Sequence, residues 1–135
     1  MRAKNGLGLS ANQIGIGARV FVMYADVKEK EILCCFNPKI LTFSKEEVLM
    51  SEGCLSWPGL WLKVRRPEGI EATYEDAKGE LHEKAMFGLE ARIFQHEYEH
   101  MEGRNFTEKV SRLKLNRAKK RLRKVKKKLD KPVLP

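Results

Sequence analysis

His96-Glu97-Tyr98-Glu99-His100 decides how the rest of this chain reads. On a helix, residues four apart share a face, so His96 and His100 can grip one metal ion together. Glu97 then stands beside that ion, where a carboxylate can take a proton from a water the metal has acidified. With 3 His and 15 Glu among 135 residues, this spacing arises by chance in roughly one shuffled sequence in 200. The bland alternative is a helix carrying two solvated histidines.

Around this stretch the pattern is helical. After Gly88, residues Leu89, Ile93, His96, Glu97 and His100 fall on one side, and Gly103 marks a stop. A second helix is expected from Thr107, as N-cap, to about Leu129, ahead of Pro132. Upstream, Arg19–Ala25 and Glu31–Phe36 read as strands, the latter stopped by Asn37-Pro38. Further strands are expected at Trp61–Val64, Ile70–Tyr74 and Leu81–Met86, with a turn over Asp76–Gly79. Ser51–Gly59 reads as a turn-rich stretch with Cys54 near its centre, and Gly6–Gly15 as a small-residue run that can approach a ligand or a neighbouring strand closely. Strands first, then a metal helix, then a basic helix predict an α+β fold. Small antiparallel or mixed sheets would surround the central HExxH helix.

A length of 135 residues suits one domain, and 42% hydrophobic residues allow a modest core. Met1-Arg2-Ala3-Lys4-Asn5 is polar and unlike a secretory signal, and no run of about 18 apolar residues exists to cross a membrane. Three cysteines, an odd number, fit free thiols in a reducing cytoplasm better than a disulfide framework. The net charge of +9 hides an asymmetry. Residues 109–131 hold 13 Lys/Arg and one acid, Asp130, while the remainder carries 14 Lys/Arg against 17 Asp/Glu. A mildly acidic body thus bears a strongly basic tail.

Two histidines leave a catalytic site short of a third protein ligand. The position a metzincin would use holds Phe106, and Glu102 and Glu108 lie too near His100 to serve, so the ligand is sought upstream. Cys34, Cys35, Cys54 and His82 are the candidates. Cys34 and Cys35 sit in an apolar strand as small hydrophobes, and His82 sits on a polar strand, solvated. Cys54, following Gly53 in a turn-like setting, is the better accessible thiolate.

Three segments, in order, carry a resemblance. Gly6-Leu7-Gly8-Leu9-Ser10-Ala11-Asn12-Gln13, Glu52-Gly53-Cys54-Leu55-Ser56 and Gln95-His96-Glu97-Tyr98-Glu99-His100 resemble the three motifs of peptide deformylases, over about residues 5–106. The resemblance implies one divalent ion per chain, held by Cys54, His96 and His100: ferrous iron, with zinc or nickel as alternatives. It implies removal of formate from the N-formyl-methionine of nascent polypeptides, with Glu97 moving the proton from water to the leaving amine. The Gln13 side-chain amide and the Leu55 backbone N–H would hold the oxyanion, and Gly8 would offer backbone hydrogen bonds to the substrate. On this reading residues 1–106 form the catalytic domain and 107–135 a basic helix and tail. The other readings are a different small HExxH metallohydrolase or peptidase, and a ribosome- or nucleic-acid-binding module with a structural metal.

Departures are visible too. Glu99 stands where the family usually has Asp, and its extra methylene is expected to shift a hydrogen bond behind the metal and loosen it. Ser10 replaces a more usual Ala. Family members generally carry a few dozen residues, including a helix, before the first motif, which here begins at Gly6: either this is a minimal form, as some phage-encoded deformylases are short, or the true N-terminus is missing. One sheet face is therefore expected to be thinly covered and stability marginal.

In the tail, Leu115, Ala118, Leu122, Val125 and Leu129 make a narrow apolar stripe between basic faces. Some deformylases dock a C-terminal helix on the ribosome, and this tail resembles a more highly charged version, which implies ribosome contact by a monomeric, cytoplasmic enzyme. A solubilising helix and a coiled coil are the rivals. Truncation after Glu108 is expected to weaken ribosome binding and leave turnover nearly intact.

Overall fold

The computed structural model describes residues 1, 6–26 and 28–129, so Arg2–Asn5 and Pro132 lie outside the described residues. Seven strands form two sheets: β1 (Gly8–Ser10), β2 (Val20–Asp26), β3 (Glu31–Phe43), β6 (Gly69–Glu75) and β7 (Leu81–Phe87) in one, β4 (Glu47–Cys54) and β5 (Trp57–Pro67) in the other. The first sheet runs β1-β2-β3-β6-β7, and every pairing in both sheets is antiparallel. Helix α1 (Gly88–Met101) carries the HExxH segment, and helix α2 (Arg112–Leu129) follows a short 3-10 turn, Phe106–Lys109.

Alternation explains the larger sheet. Phe21 and Met23 of β2, Cys35 of β3, Ile70, Ala72 and Tyr74 of β6 and Met86 of β7 all point to one face. There they meet Ala91, Ile93 and Phe94 of α1, with Phe21 edge-on to Phe94 at 5.0 Å. On the opposite face Phe36, Leu81 and Phe87 are exposed.

Four expectations need correction. The strand beginning at Glu31 does not stop at Asn37-Pro38 but continues to Phe43. Asn37 takes a left-handed conformation (φ +47°) and the β3–β6 register shifts between Phe36 and Lys39, so Pro38 sits in a bulge that asks no N–H of it. Ser51–Gly59 is mostly strand, because β4 and β5 pair closely from Glu47↔Pro67 to Cys54↔Trp57, leaving only Leu55-Ser56 to turn. The strand placed at Trp61–Val64 therefore runs from Trp57 to Pro67. Lastly, the second helix does not start at Thr107. The Asn105 side chain accepts the Thr107 N–H (2.9 Å) and caps the 3-10 turn, while Ser111 caps α2 through the Lys114 N–H (3.2 Å).

Helix α1 ends as its sequence suggests. Gly103 (φ +77°) donates to the His100 carbonyl (3.0 Å) and Arg104 to that of Glu99 (2.8 Å), a Schellman closure. A second, smaller core lies beyond it. Leu60, Leu62 and Val64 of β5 pack with Phe106 and with Ala118 of α2, and Cys54, Val110, Leu115 and Leu122 join at its edge. The upper part of the apolar stripe is thus seated on the β4–β5 hairpin, while Val125 is exposed.

Candidate functional site

His96, Glu97 and His100 are all buried on α1, on the side turned to the hairpin. Their helix belongs to the larger core, which fixes their backbone. Cys54 arrives from the other core, as the last residue of β4 before the two-residue turn. Its Sγ lies 3.0 Å from His100 Nε2, and the two Nε2 atoms are 3.2 Å apart. The three donor atoms fall within 4.8 Å of one another. Cys34 and Cys35 lie elsewhere, in β3; burial pushes the Cys35 thiol up to about 12, the property of a small hydrophobe and not of a ligand.

The donor set fits a divalent ion chemically. Glu52, two residues before Cys54, places Oε1 3.0 Å from His96 Nδ1. Because a carboxylate only accepts, Nδ1 carries a proton, and Nε2 is the nitrogen that faces His100 and the Cys54 side. Burial opposes ionisation of Cys54, yet hydrogen bonds from His100, His96 and the Ser56 backbone outweigh it and hold the thiol at about 5. His96 is likewise disfavoured as a cation by burial, but the Cys54 and Glu52 contacts raise it to about 9. An electron-rich pocket of one thiolate and two imidazoles, already drawing positive charge, suits iron, zinc or nickel alike.

Glu97 stands beside these donors. Burial pushes its carboxyl up, against the pull of the two imidazoles and Ser10. The fully buried Ser10 Oγ lies 2.9 Å from Glu97 Oε2 and 2.8 Å from its backbone carbonyl, which fixes the side chain. Gly8 explains the small-residue start of the chain: a Cβ there would fall 2.8 Å from Glu97 Cγ. The close approach is thus to the Glu97 side chain. Asn12 Nδ2 donates to the His100 carbonyl. Gln13 donates through Nε2 to Ser56 Oγ (3.0 Å) and toward Cys54 Sγ (3.5 Å), while its Oε1 accepts the Ser10 N–H (2.8 Å). Leu55 forms the turn after Cys54, its side chain closing over Gly6.

Behind the donors is a buried ionic network that the motifs alone did not reveal. Arg66 reaches Glu52 through Nε (2.6 Å) and Nη2 (2.9 Å), and Glu99 through Nη1 (2.8 Å). Arg92 holds Glu52 as well and donates to the carbonyls of Val64 (2.9 Å) and Val48 (2.6 Å). Lys109 adds a contact to Glu99 at 2.9 Å. Burial alone would raise the Glu52 carboxyl, but His96 and Arg66 bring it down to about 2. Glu99 therefore touches neither histidine; its longer side chain bridges Arg66 and Lys109, two steps removed from His96. Simple spacing could have found these partners. Glu52 shares a strand face with Cys54, Arg66 continues the inward alternation of Leu60, Leu62 and Val64, and Arg92 lies one turn before His96.

The remaining candidates fall outside the site. Phe106 is buried with its ring 5.5 Å from that of His96, an apolar wall where a metzincin would have a ligand. His82 contacts Asp76 (2.7 Å) and stacks on Tyr74 at the far β6–β7 turn. A cavity of about 570 Å³ opens in front of the donors, between the β1 edge and the β4–β5 hairpin. Gly8, Met50, Cys54, Trp57, Trp61 and Ile93 line it, so it is largely apolar with polar groups converging at one end.

Two imidazoles on a buried helix, a thiol brought to them by a hairpin, a held carboxylate and an open apolar cavity are the outfit of a metal-dependent hydrolase. The family model for polypeptide deformylase matches residues 1–116, and the chain belongs to that family. It is 38% identical to a peptide deformylase of Novosphingobium aromaticivorans, over 90% of this chain and 76% of that protein. Among solved structures, a Synechococcus elongatus peptide deformylase in complex with actinonin superposes with a TM-score of 0.81 at 40% identity, covering 87% of this chain and 64% of that one. A Plasmodium falciparum peptide deformylase gives 0.83 at 33% identity, covering 98% and 80%.

Proposed function

We propose that this chain is a peptide deformylase that hydrolyses the formyl amide of N-formyl-methionine on nascent polypeptides. The observation that carries the reading is the convergence of Cys54 Sγ with the Nε2 atoms of His96 and His100, beside a buried Glu97. Cys54, His96 and His100 would hold one divalent ion, with ferrous iron our first choice and zinc or nickel next. Such an ion supplies Lewis acidity, polarising the formyl carbonyl and acidifying a water. Glu97, its carboxyl raised and its orientation fixed by Ser10, accepts the proton of the attacking water and passes it to the leaving amine. Gln13 Nε2 and the Leu55 backbone N–H donate to the oxygen that gains charge. Glu52 keeps His96 in the tautomer that leaves Nε2 free. Gly8, on the free edge of β1, offers main-chain hydrogen bonds to a peptide laid alongside it, and the methionine side chain enters the apolar cavity.

All these residues lie within 1–106, which we assign to catalysis, and 107–135 to contact with an anionic surface. Helix α2 carries 11 Lys/Arg and no acid over 18 residues, a face suited to ribosomal RNA near the emerging substrate. We place the enzyme in the cytoplasm as a monomer. No described helix is long and apolar enough to cross a membrane.

Release of formate from a formyl-Met-Ala peptide by metal-loaded protein tests the reading. Glu97→Ala should keep its metal and lose ~10²–10⁴-fold in kcat/KM. Equal activity in the variant would remove Glu97 as the base, and an inactive metal-loaded wild type would remove the deformylase reading.

A further inference from the structure

The β4–β5 hairpin is a two-stranded sheet that shares no strand pairing with the five-stranded one. Two-stranded hairpins are marginal by themselves, so this one depends on what packs against it. On its inner side stand the Arg66–Glu52–Arg92 contacts. Nearer the turn, α2 covers the same face. Leu115, Ala118 and Leu122 pack with Leu60, Leu62, Val64 and Cys54. Leu122 Cδ1 lies only 2.8 Å from where a Cβ on Gly59 would stand, and Gly59 is left-handed at φ +77°. Lys119 Nζ lies over the Trp57 ring, 5.4 Å from its centroid.

Trp57 is the cross-strand partner of Cys54, and only Leu55 and Ser56 separate the two along the chain. A displacement of Trp57 or Gly59 therefore reaches Cys54 at once, because the turn is too short to absorb it. The backbone of His96 and His100 is held from the other side, since their helix is anchored in the larger core. We propose that α2 is a positioning element of the metal site: Lys119 and Leu122, by holding Trp57 and Gly59, keep the Cys54 thiolate in reach of the two imidazoles. This rests on the reading of Cys54, His96 and His100 as ligands of one divalent ion. It also replaces the expectation that truncation after Glu108 spares turnover, since that cut removes Val110, Leu115, Ala118 and Leu122 from the core beside Cys54.

The test uses the full chain loaded with Co²⁺. It reads the thiolate-to-cobalt charge-transfer band and the rate at which EDTA strips the ion, with far-UV circular dichroism alongside. The double variant Lys119→Met/Leu122→Ala should lose cobalt at least about tenfold faster than wild type and show a weaker band, at unchanged helical content. The conservative Lys119→Arg/Leu122→Met should restore both readings. A double variant that keeps wild-type band and stripping rate would overturn the inference. Should that variant lose helical content, Lys119→Met alone carries the test: a several-fold faster loss supports the proposal, and an unchanged rate overturns it. A wild-type protein that binds cobalt without the band would overturn the Cys54 ligand itself, and with it this inference.

Discussion

The two cores that meet at the cluster of Cys54, His96 and His100 are unequal. The larger draws ten buried side chains from four strands and α1, every strand but the edge strand β7 being paired on both sides. The smaller has five, from one hairpin, the 3-10 turn and one face of a helix otherwise crowded with like charges. The larger core carries His96, Glu97 and His100 on its helix; the smaller carries Cys54 at its edge. A bound ion would thus tie a weakly supported element to a strongly supported one, so that its binding energy also serves as folding energy for the smaller core. The buried ionic network crosses the same seam, with Glu52 and Arg66 on the hairpin side and Arg92 and Glu99 on α1.

The sharpest way to break this arrangement is Arg66→Met. It leaves Glu52 and Glu99 buried with fewer partners and should cost ~3–5 kcal/mol in urea unfolding. A loss under ~1 kcal/mol would mean that Arg92 and Lys109 satisfy the carboxylates unaided. Metal removal should act more locally. Amides of β4, β5 and α2 should exchange about tenfold faster, a loss of ~1.4 kcal/mol in local opening free energy, while those of β2, β3 and β6 hold. Equal acceleration everywhere would show that the two cores open as one unit. The larger core is expected to give way least, and Cys35 reports on it. The thiolate is the reactive form, and with the thiol held at about 12 little of it exists at any mildly alkaline pH. Alkylation of native Cys35 at pH ~8.5 should run on the order of 10³-fold slower than in the unfolded chain. Labelling as fast as in urea, read by mass spectrometry, would show that the larger core opens more readily than its packing implies.

Much of this was legible in the chain itself. The strands of the larger sheet follow from alternation, α1 from its 3.6-residue spacing and its Gly103 stop, and the order of strands, metal helix and basic helix predicted the α+β class. The strand over Glu31–Phe43 was not, because Asn37-Pro38 is a stop signal unless a bulge relieves the proline of hydrogen bonding. The hairpin was hidden in the same way. Gly53, Pro58 and Gly59 signal turns, yet Gly53 is there because Trp61 lies over it, a Cβ being placed 3.1 Å from the ring, and Gly59 because Leu122 does. Both are contacts between residues the sequence separates.

Local spacing alone determined which side chains could share a helix face: His96, Glu97 and His100 follow from the geometry of one turn, and so would Arg92. It determined too that a basic helix with a narrow apolar stripe follows the HExxH helix. Tertiary structure decided that Gly8 makes room for Glu97, that Ser10 holds it and that Glu99 answers to Arg66 and Lys109. It also decided that the basic helix lies against the strand leaving Cys54. The physical reason is range. Periodicity acts through neighbours a few bonds apart, whereas burial and ion pairing act between atoms that only the folded chain brings within about 3 Å of each other.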